Sequence, residues 1–317
     1  MINQSIYSKI KDRSINYHVL IPFFALFIVF LIFGILATDR FANLNNMVLI
    51  VRQSVIVMIV GFGMTFVIIG GGIDLSVGSV LALSGWIGGY FTSLYNPVIG
   101  FLFSLLVGTT CGAINGFTFS YLRIPSFIIT LGMLQMARGL TTIASGGFPV
   151  MMPKEVLWMG RWPGTVIIAF VCFIVVTIIY NFTKIGEFDR AIGGNETVAE
   201  MSGVPIRKFK IIPFIFSGFF AGFGGYMLAT RLGVASPTIG VGYELEVIAS
   251  VVLGGTPLTG GVGNIYGTIL GAIIMSAIGN GLVIMGVPSE WQLVIKGMIL
   301  IGAVFVSIDR DKIGNIK

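Results

Sequence analysis

The chain has 317 residues, of which 56% are hydrophobic and only 10% are charged, and its mean hydropathy is +0.98. A soluble domain carries about 25% charged residues, so this composition excludes a soluble globular fold and indicates an integral membrane protein. The net charge of +6 does not indicate nucleic-acid binding, because Lys and Arg collect in the cytoplasmic loops of inner-membrane proteins.

Four stretches without any charged residue predict the elements that cross the membrane. They cover 14–38, 75–122, 162–183 and 247–289. Because they are continuous and rich in Gly, Leu and Ile, they favour helices over the alternating strands of a β-barrel. The predicted fold class is therefore an all-α integral membrane protein with about ten transmembrane helices, each of about 20 residues. The predicted crossings lie near 19–37, 47–69, 76–95, 98–121, 125–145, 163–182, 210–231, 243–256, 262–284 and 289–307.

Basic residues predict the orientation of the chain in the bacterial inner membrane. Lys9, Lys11 and Arg13 precede the first crossing, which is too long for a signal-peptide core, so the N-terminus is expected in the cytoplasm. The segments then assigned to the cytoplasm carry 12 of the 19 Lys and Arg residues, and both termini lie on that side. The predicted organisation has three parts, a cytoplasmic segment at 1–18, a single transmembrane domain at 19–307 and a cytoplasmic tail at 308–317.

Two glycine-rich stretches interrupt the predicted helices. They are GGGIDLSVGS at 70–79 and GGTPLTGG at 254–261, and the longer stretches 68–78 and 252–263 resemble each other as a weak internal repeat would. Asp74 is expected to be the N-cap of the next helix at the cytoplasmic interface. Alternatively, the broken helices line a solute pathway or its gate, as in many transporters. The residues assigned to this pathway are Gly71, Gly72, Asp74, Ser76, Asn115, Gln135, Gly254, Gly255 and Thr256.

Polar side chains inside the predicted crossings are costly unless they face the bundle interior or water. The neutral Asn115 and Gln135 suit a pathway for an uncharged polyol, and hydrogen bonding between helices is an equal alternative. Arg52 and Lys296 are expected to reach an interface or to bond backbone carbonyls. Apart from Asp74, no mid-membrane carboxylate is identified, which argues against a proton-driven carrier. Arg138 and Asn280 are the other clear polar residues inside the predicted crossings.

Glycine accounts for 44 of the 317 residues, which is about twice its average usage. A four-residue spacing places many of these glycines on one helix face, where neighbouring backbones can approach closely. We therefore expect tight helix packing. The spaced glycines are Gly85 and Gly89, Gly108, Gly112 and Gly116, Gly218 and Gly222, and Gly267 and Gly271.

Two predicted outer loops carry amphipathic or acidic residues. Trp158 and Trp162 in the first loop are expected at the level of the lipid headgroups, or at a contact with an extracytoplasmic partner. Glu244 and Glu246 in the second loop are interpreted either as solvated loop ends or as contacts for such a partner.

The sequence contains no arrangement of residues that predicts catalysis. It has no His/Glu metal motif and no GxSxG, and the dipeptide Gly-Lys of a phosphate-binding loop does not occur. We therefore expect no catalytic residue, no metal, no cofactor and no ATP hydrolysis by this chain.

The longest polar interruption is residues 183–210, here called the charged segment, which holds nine of the 32 formal charges. A turn is expected at 193–195, followed by a short helix from an Asn195 cap through Met201. Ser202–Gly203 would end that helix. A polar, helix-forming segment between membrane-spanning runs predicts contact with something in the aqueous phase.

The charged segment and the run after it, AIGGNETVAEMSGVPIRKFKI…SGFFAGFGG…LGVASPTIGVGYELEVIASVVLGGTPLTGGVG, resemble the membrane permeases of bacterial monosaccharide ABC importers. GMTFVIIGGGIDLSVGSVLALSG at 63–85 resembles the other hallmark of that family. The resemblance covers residues 45–305 and includes both motifs in the expected order.

This resemblance implies a type II importer-like permease with ten helices, some of them short and broken, that works as a pair, most often a homodimer. It implies a separate cytoplasmic ATPase that binds ATP and Mg, and an extracytoplasmic sugar-binding protein that delivers a monosaccharide, a ribose-like pentose being the first expectation. It also implies that the charged segment couples the permease to the ATPase. The coupling residues so assigned are Gly193, Gly194, Asn195, Glu196, Ala199, Glu200, Ser202 and Gly203.

Two alternatives remain open at this point. An ABC permease for another small solute, such as branched-chain amino acids, is related in sequence, although GGNETVAEMSG and SPTIGVGYELEVIASVV favour the sugar branch. An ion-coupled secondary transporter would work without an ATPase and would need buried coupling carboxylates.

Overall fold

The computed structural model describes residues 17–307, and the predictions made for 1–16 and 308–317 lie outside the described residues. Helices dominate this range, as the sequence predicts. The helices are α1 Tyr17–Leu36, α2 Thr38–Phe41, α3 Leu44–Ile69, α4 Val77–Leu94, α5 Pro97–Leu122, α6 Ser126–Ser145, α7 Gly164–Phe182, α8 Lys184–Gly194, α9 Glu196–Met201, α10 Ile206–Leu232, α11 Tyr243–Leu253, α12 Ile265–Ile284 and α13 Ser289–Ser307. A 3-10 helix, Lys154–Gly160, and two short strands, β1 Val150–Met151 and β2 Val234–Ala235, complete the elements.

Within the described range, seven helices are long and apolar enough to cross a membrane, namely α3, α4, α5, α6, α7, α10 and α12. Helix α1 also contains the apolar stretch Pro22–Leu36. The predicted crossing near 243–256 contains a helix that is too short to span a membrane alone. Helix α11 has only 11 residues, so it rises about 16 Å in a hydrocarbon core about 30 Å thick. The residues on either side of α11, 236–242 and 254–264, are not helical.

Close backbone contacts between α5 and α10 form the most extensive helix pair. A Cβ atom on Gly108 would lie 2.8 Å from the Gly222 Cα, and one on Gly112 would lie 3.1 Å from the Gly218 Cα. Any side chain at these positions would push the helices apart. The prediction that spaced glycines permit tight packing is therefore confirmed for this pair.

The two ends of the bundle are distinguished by what covers them. Strands β1 and β2 pair antiparallel, Val150 with Ala235 and Met151 with Val234, at what is here called the strand end. At the opposite end, here called the charged end, α3 and α11 finish beside the charged segment. The backbone amide of Gly261 donates to the Ile69 carbonyl there, at 2.8 Å.

The charged segment forms two helices, α8 and α9, where the sequence predicted one. The predicted turn at 193–195 is wrong in part, because Gly193 and Gly194 belong to the last turn of α8. Only Asn195 has an extended backbone between the two helices. The predicted helix from Asn195 through Met201 is confirmed.

Candidate functional site

Three segments meet at the charged end, and Gly193 makes the meeting possible. A Cβ atom on Gly193 would overlap the carbonyl oxygen of Ile69 and would lie 2.7 Å from the backbone nitrogen of Gly261. In contrast, a Cβ atom on Gly194 would meet nothing within 4 Å. The last turn of α8 therefore packs directly on the end of α3 and on the stretch after α11.

Helix α9 projects from this junction and is fixed by its own caps. The Asn195 Oδ1 accepts from the backbone N–H of Val198 at 3.1 Å, and Gly203 ends the helix with φ +84°. Ala199 is buried at its base, whereas Val198 and Met201 are 57% and 84% exposed. Two apolar side chains one turn apart thus point away from the fold.

A surface ion pair attaches α9 to α10. The Lys210 Nζ lies 2.6 Å from the Glu196 Oε2 and 4.8 Å from the centre of the Phe119 ring. Because half of the Glu196 side chain is exposed, the pair contributes at most about 1 kcal/mol. Glu200, four residues on, is exposed.

Asp189 of α8 is a buried carboxyl against the first glycine break. It is 2% exposed, its Oδ1 lies 2.5 Å from where a Gly70 Cβ would be, and its Oδ2 has no hydrogen-bond partner among the described residues. Burial raises the pKa of Asp189 well above its usual value, and the neighbouring Arg190 opposes this rise. Arg190 itself stacks on Tyr180 at 4.6 Å. The carboxyl therefore favours its neutral form in this arrangement.

Asp189 is not among the residues predicted for a site, although its spacing along the sequence carries a signal. Gly186, Asp189 and Ile192 are all buried, and their three-residue spacing puts them on one face of a helix. A polar segment with a buried face of this kind packs on the bundle rather than lying free in solvent.

Asp74 is the centre of a buried hydrogen-bond network. Its Oδ1 accepts from the Ser76 backbone amide at 2.9 Å and from the Ser76 hydroxyl at 2.6 Å, and its Oδ2 accepts from the Ser217 hydroxyl at 2.7 Å. The Asn115 amide donates to the Ser76 hydroxyl at 3.0 Å. Three residues assigned to the pathway are thus brought together.

The prediction that Asp74 is the helix N-cap is wrong. Helix α4 begins at Val77, and its N-cap residue is Ser76. Asp74 is 1% exposed and bonds Ser217, which lies eleven residues inside α10. The carboxyl therefore lies inside the bundle and joins three segments instead of capping one helix at an interface.

The two glycine breaks share one backbone geometry. After α3, the amides of Gly71 and Gly72 donate to carbonyls three and five residues earlier, and Gly71 has φ +80°. After α11, Gly255 and Thr256 do the same, and Gly255 has φ +90°. Both are Schellman C-caps, which glycine favours because it adopts positive φ without strain. The preceding glycine, Gly254, is the C-cap residue of α11.

Two assigned pathway residues lie apart from the Asp74 network. Gln135 is on the exposed face of α6, so the structure does not bring it to Asn115. Thr256 is fully buried in the second break, and its hydroxyl finds no partner among the described residues.

Charged residues in the strand-end half of the bundle also differ from expectation. The Lys296 Nζ lies 2.7 Å from the Glu246 Oε2, so Lys296 pairs with a carboxylate instead of a backbone carbonyl. Both side chains are at least three-quarters buried, so Glu246 is not a solvated loop end. Asn280 accepts from the Asn46 amide at 2.9 Å, which is a hydrogen bond between helices.

The described residues hold no group of three or more metal-ligating side chains. The apolar helices of the described range define a helical protein with several segments able to cross a membrane.

Comparison with known proteins identifies the family. A family model described as branched-chain amino acid transport system / permease component matches residues 46–304. The chain is 37% identical over 280 residues to the ribose import permease protein of Escherichia coli (strain K12), covering 85% of this chain and 87% of that protein. It is 38% identical over 301 residues to the ribose import permease protein of Bacillus subtilis (strain 168), covering 92% of each. No solved structure matches the chain.

A third relative, the D-allose transport system permease protein of Escherichia coli (strain K12), is 35% identical over 299 residues, covering 91% of this chain and 90% of that protein. The chain therefore belongs to this family of transport-system permease components. It is a transport component rather than an enzyme.

Proposed function

We propose that this chain is the membrane permease subunit of an ATP-driven importer for a monosaccharide, with a ribose-like pentose as the first candidate. The observation that carries the proposal is the packing of the charged segment on both glycine breaks, since it links an exposed polar helix to the interior of the bundle. Relatives that span most of the chain and are named for ribose, allose and L-arabinose support a sugar as the solute.

Branched-chain amino acids are a second candidate, because the description of the matching family names them. The relatives that cover most of the chain are named for sugars, which favours a sugar over an amino acid as the solute. Competition for ATP-driven uptake by unlabelled ribose, allose, arabinose and leucine distinguishes the two, and leucine as the one effective competitor would overturn the sugar assignment.

In this proposal, α9 docks into a separate cytoplasmic ATPase that binds ATP and Mg. The exposed Val198 and Met201 provide apolar contact, and Glu196 and Glu200 provide charge. Closure of the ATPase moves α8, and Gly193 transmits the movement to both breaks. A binding protein delivers the sugar at the strand end, and two copies of the chain form a homodimer.

The same proposal completes the membrane topology. The seven long helices, together with α1, α13 and the broken pass that ends in α11, make ten passes, so that both termini and the charged segment lie in the cytoplasm. The excess of Lys and Arg in the corresponding segments supports this orientation. The Asp74 network and the breaks then form the pathway or its inner gate.

The chain offers a matched pair of variants for testing the coupling. In complex with its ATPase and binding protein in proteoliposomes, Gly193→Ala is expected to lower sugar-stimulated ATP hydrolysis at least about tenfold, because the new methyl separates α8 from Ile69 and Gly261. Gly194→Ala is expected to retain wild-type stimulation, since its methyl enters open space. Equal stimulation in the two variants would contradict the coupling route.

A simpler outcome would overturn the whole proposal. The wild-type chain is expected to copurify with an ATPase that carries a phosphate-binding loop, and uptake is expected to require that subunit. Sugar uptake that continues without any ATPase would instead favour an ion-coupled carrier.

A further inference from the structure

The stretch between β2 and α11, residues 236–242, crosses part of the bundle without helical structure. At its start, Ala235 contacts α4, since a Gly89 Cβ would lie 2.5 Å from the Ala235 Cβ. Further on, a Gly78 Cβ would lie 2.5 Å from the Gly240 carbonyl oxygen. Gly78 and Gly89 are eleven residues apart on one helix, which is about 16 Å. The stretch, here called the extended segment, therefore runs down α4 into the bundle.

Backbone groups of the extended segment need hydrogen-bond partners because no water is available in the hydrocarbon core. The bonds within the segment are few and long. The Tyr243 amide donates to the Gly240 carbonyl at 3.4 Å, and the Thr238 amide donates to the Ser236 hydroxyl at 3.4 Å. An irregular backbone at membrane depth is tolerated where it is buried in protein or lines a water-filled cavity, so a neighbouring helix is expected to contribute hydrogen bonds where the segment is buried.

Arg138 of α6 makes that contribution. Its Nη1 donates to the Ile239 carbonyl at 2.8 Å and to the Pro237 carbonyl at 3.3 Å. Pro237 is buried, and Arg138 is half-buried. The acidic group that acts electrostatically on the guanidinium is Glu244, in the first turn of α11. One side chain from a separate helix thus holds two carbonyls of the extended segment.

The position of the segment connects it to the solute route. Gly240 abuts Gly78, which is two residues beyond Ser76 in the Asp74 network. Along α4, the extended segment therefore lies between the strand end and that network. The segment packs on α4 between its contact with Gly89 and the residues assigned to the pathway.

We propose that Arg138 is a positioning residue that latches the extended segment against α6 and so closes the solute route on its strand-end side. This role rests on the proposed transport function. A guanidinium suits it because it is always charged and donates several N–H groups from a rigid plane. The latch opens when the two carbonyl bonds break, and the segment then moves away from α6.

The test is passive leak from proteoliposomes that contain the complete transporter. Vesicles are preloaded with radiolabelled ribose, and efflux is followed without ATP and without binding protein. Arg138→Gln is expected to raise the rate of efflux about tenfold or more, because hydrogen bonds from a charged donor shift a two-state equilibrium by that order. Arg138→Lys is expected to give an intermediate rate, since a single ammonium replaces the planar guanidinium.

Two further variants separate the latch from other roles of Arg138. The control Arg161→Gln removes a strand-end arginine outside the extended segment and is expected to leave efflux unchanged. Gly240→Ala places a methyl against the Gly78 carbonyl at a backbone φ of +76°, so it displaces the segment while Arg138 is intact. Vesicles with this variant are expected to leak as well. The latch can therefore still be tested if Arg138→Gln does not assemble.

A charge exchange tests the alternative that Arg138 acts through Glu244. The double variant Arg138→Glu with Glu244→Arg would restore tight vesicles if the ion pair were the essential contact. It is expected to leak, because a carboxylate at position 138 cannot donate to the carbonyls of Pro237 and Ile239. Restored tightness in the exchange variant would overturn the latch.

The outcomes of this test are separate from those of the transport proposal. Vesicles with Arg138→Gln that are as tight as wild type, beside a wild-type transporter that takes up sugar with ATP and binding protein, overturn the latch alone. A wild-type complex that takes up no monosaccharide under those conditions overturns the proposed function, whatever the leak rates are.

Discussion

The first and second glycine breaks have the same backbone and different surroundings. Both end a helix with the same pattern of three hydrogen bonds and a glycine at positive φ. The first leads into Asp74, whose carboxylate oxygens accept three hydrogen bonds. The second leads into Thr256, whose buried hydroxyl has no partner among the described residues, and into a run of glycines that contacts α8.

This difference shows that one local geometry serves two purposes. The Gly-Gly step sets how each helix ends, because a Schellman cap depends only on nearby backbone groups. What the break does next depends on the helices around it. The first break is a hydrogen-bonded centre that joins α4, α5 and α10, whereas the second break is a packing contact. Three substitutions are expected to separate these roles.

The largest effect is expected from Asp74→Ala in the first break. The substitution leaves the hydroxyls of Ser76 and Ser217 and one backbone amide without their acceptor inside the bundle. A loss of about 3 kcal/mol or more in the free energy of unfolding is expected, because each buried donor left without its acceptor costs about 1–3 kcal/mol. Unfolding of the detergent-solubilised protein measures it, and a loss below about 1 kcal/mol would contradict the central role of Asp74.

A smaller, pH-dependent effect is expected from Asp189→Asn, beside the first break. Because burial raises the folded-state pKa of Asp189 above the unfolded value, its folded form is favoured at low pH. Wild-type stability is therefore expected to fall, relative to Asp189→Asn, as the pH rises above about 3.8 through the raised value. At pH 8 the variant should have the higher Tm by about 2–4 °C, and the gap should close under acid conditions.

The matched control for Asp189 is Glu187→Gln, which neutralises an exposed carboxylate on the same helix. Its Tm is expected to follow the wild-type pH profile. A profile for Asp189→Asn that runs parallel to wild type at all pH values would show that the carboxyl is not forced towards its neutral form.

The smallest effect is expected from Thr256→Val in the second break. Valine keeps the shape of threonine and removes a buried hydroxyl that has no partner, so stability is expected to stay the same or to rise by up to about 1 kcal/mol. Thr65→Val is the comparison, because the Thr65 hydroxyl lies 2.6 Å from that of Thr268. It is expected to lower stability by about 1 kcal/mol. Equal effects at both positions would contradict the contrast between a paired and an unpaired hydroxyl.

Much of the fold could be predicted because it depends on local composition. Uncharged runs located α4, α5, α7 and α12, and the cap residues Asn195 and Gly203 located α9. The predicted site was recovered in part. Asp74, Ser76 and Asn115 meet as a network, but the role predicted for Asp74 was an interfacial cap, and Gln135 was predicted to join a group from which it lies apart.

The sequence by itself determined the membrane class, the positions of the helices and the polar segment between them, because hydrophobicity and capping act over one or two turns of chain. The tertiary structure alone decided which polar groups meet. Asp74 reaches Ser217 across 143 positions, and Arg138 reaches Ile239 across 101. Such pairs are chosen by helix packing, because a buried polar group takes its partner from whichever backbone or side chain the packing brings near.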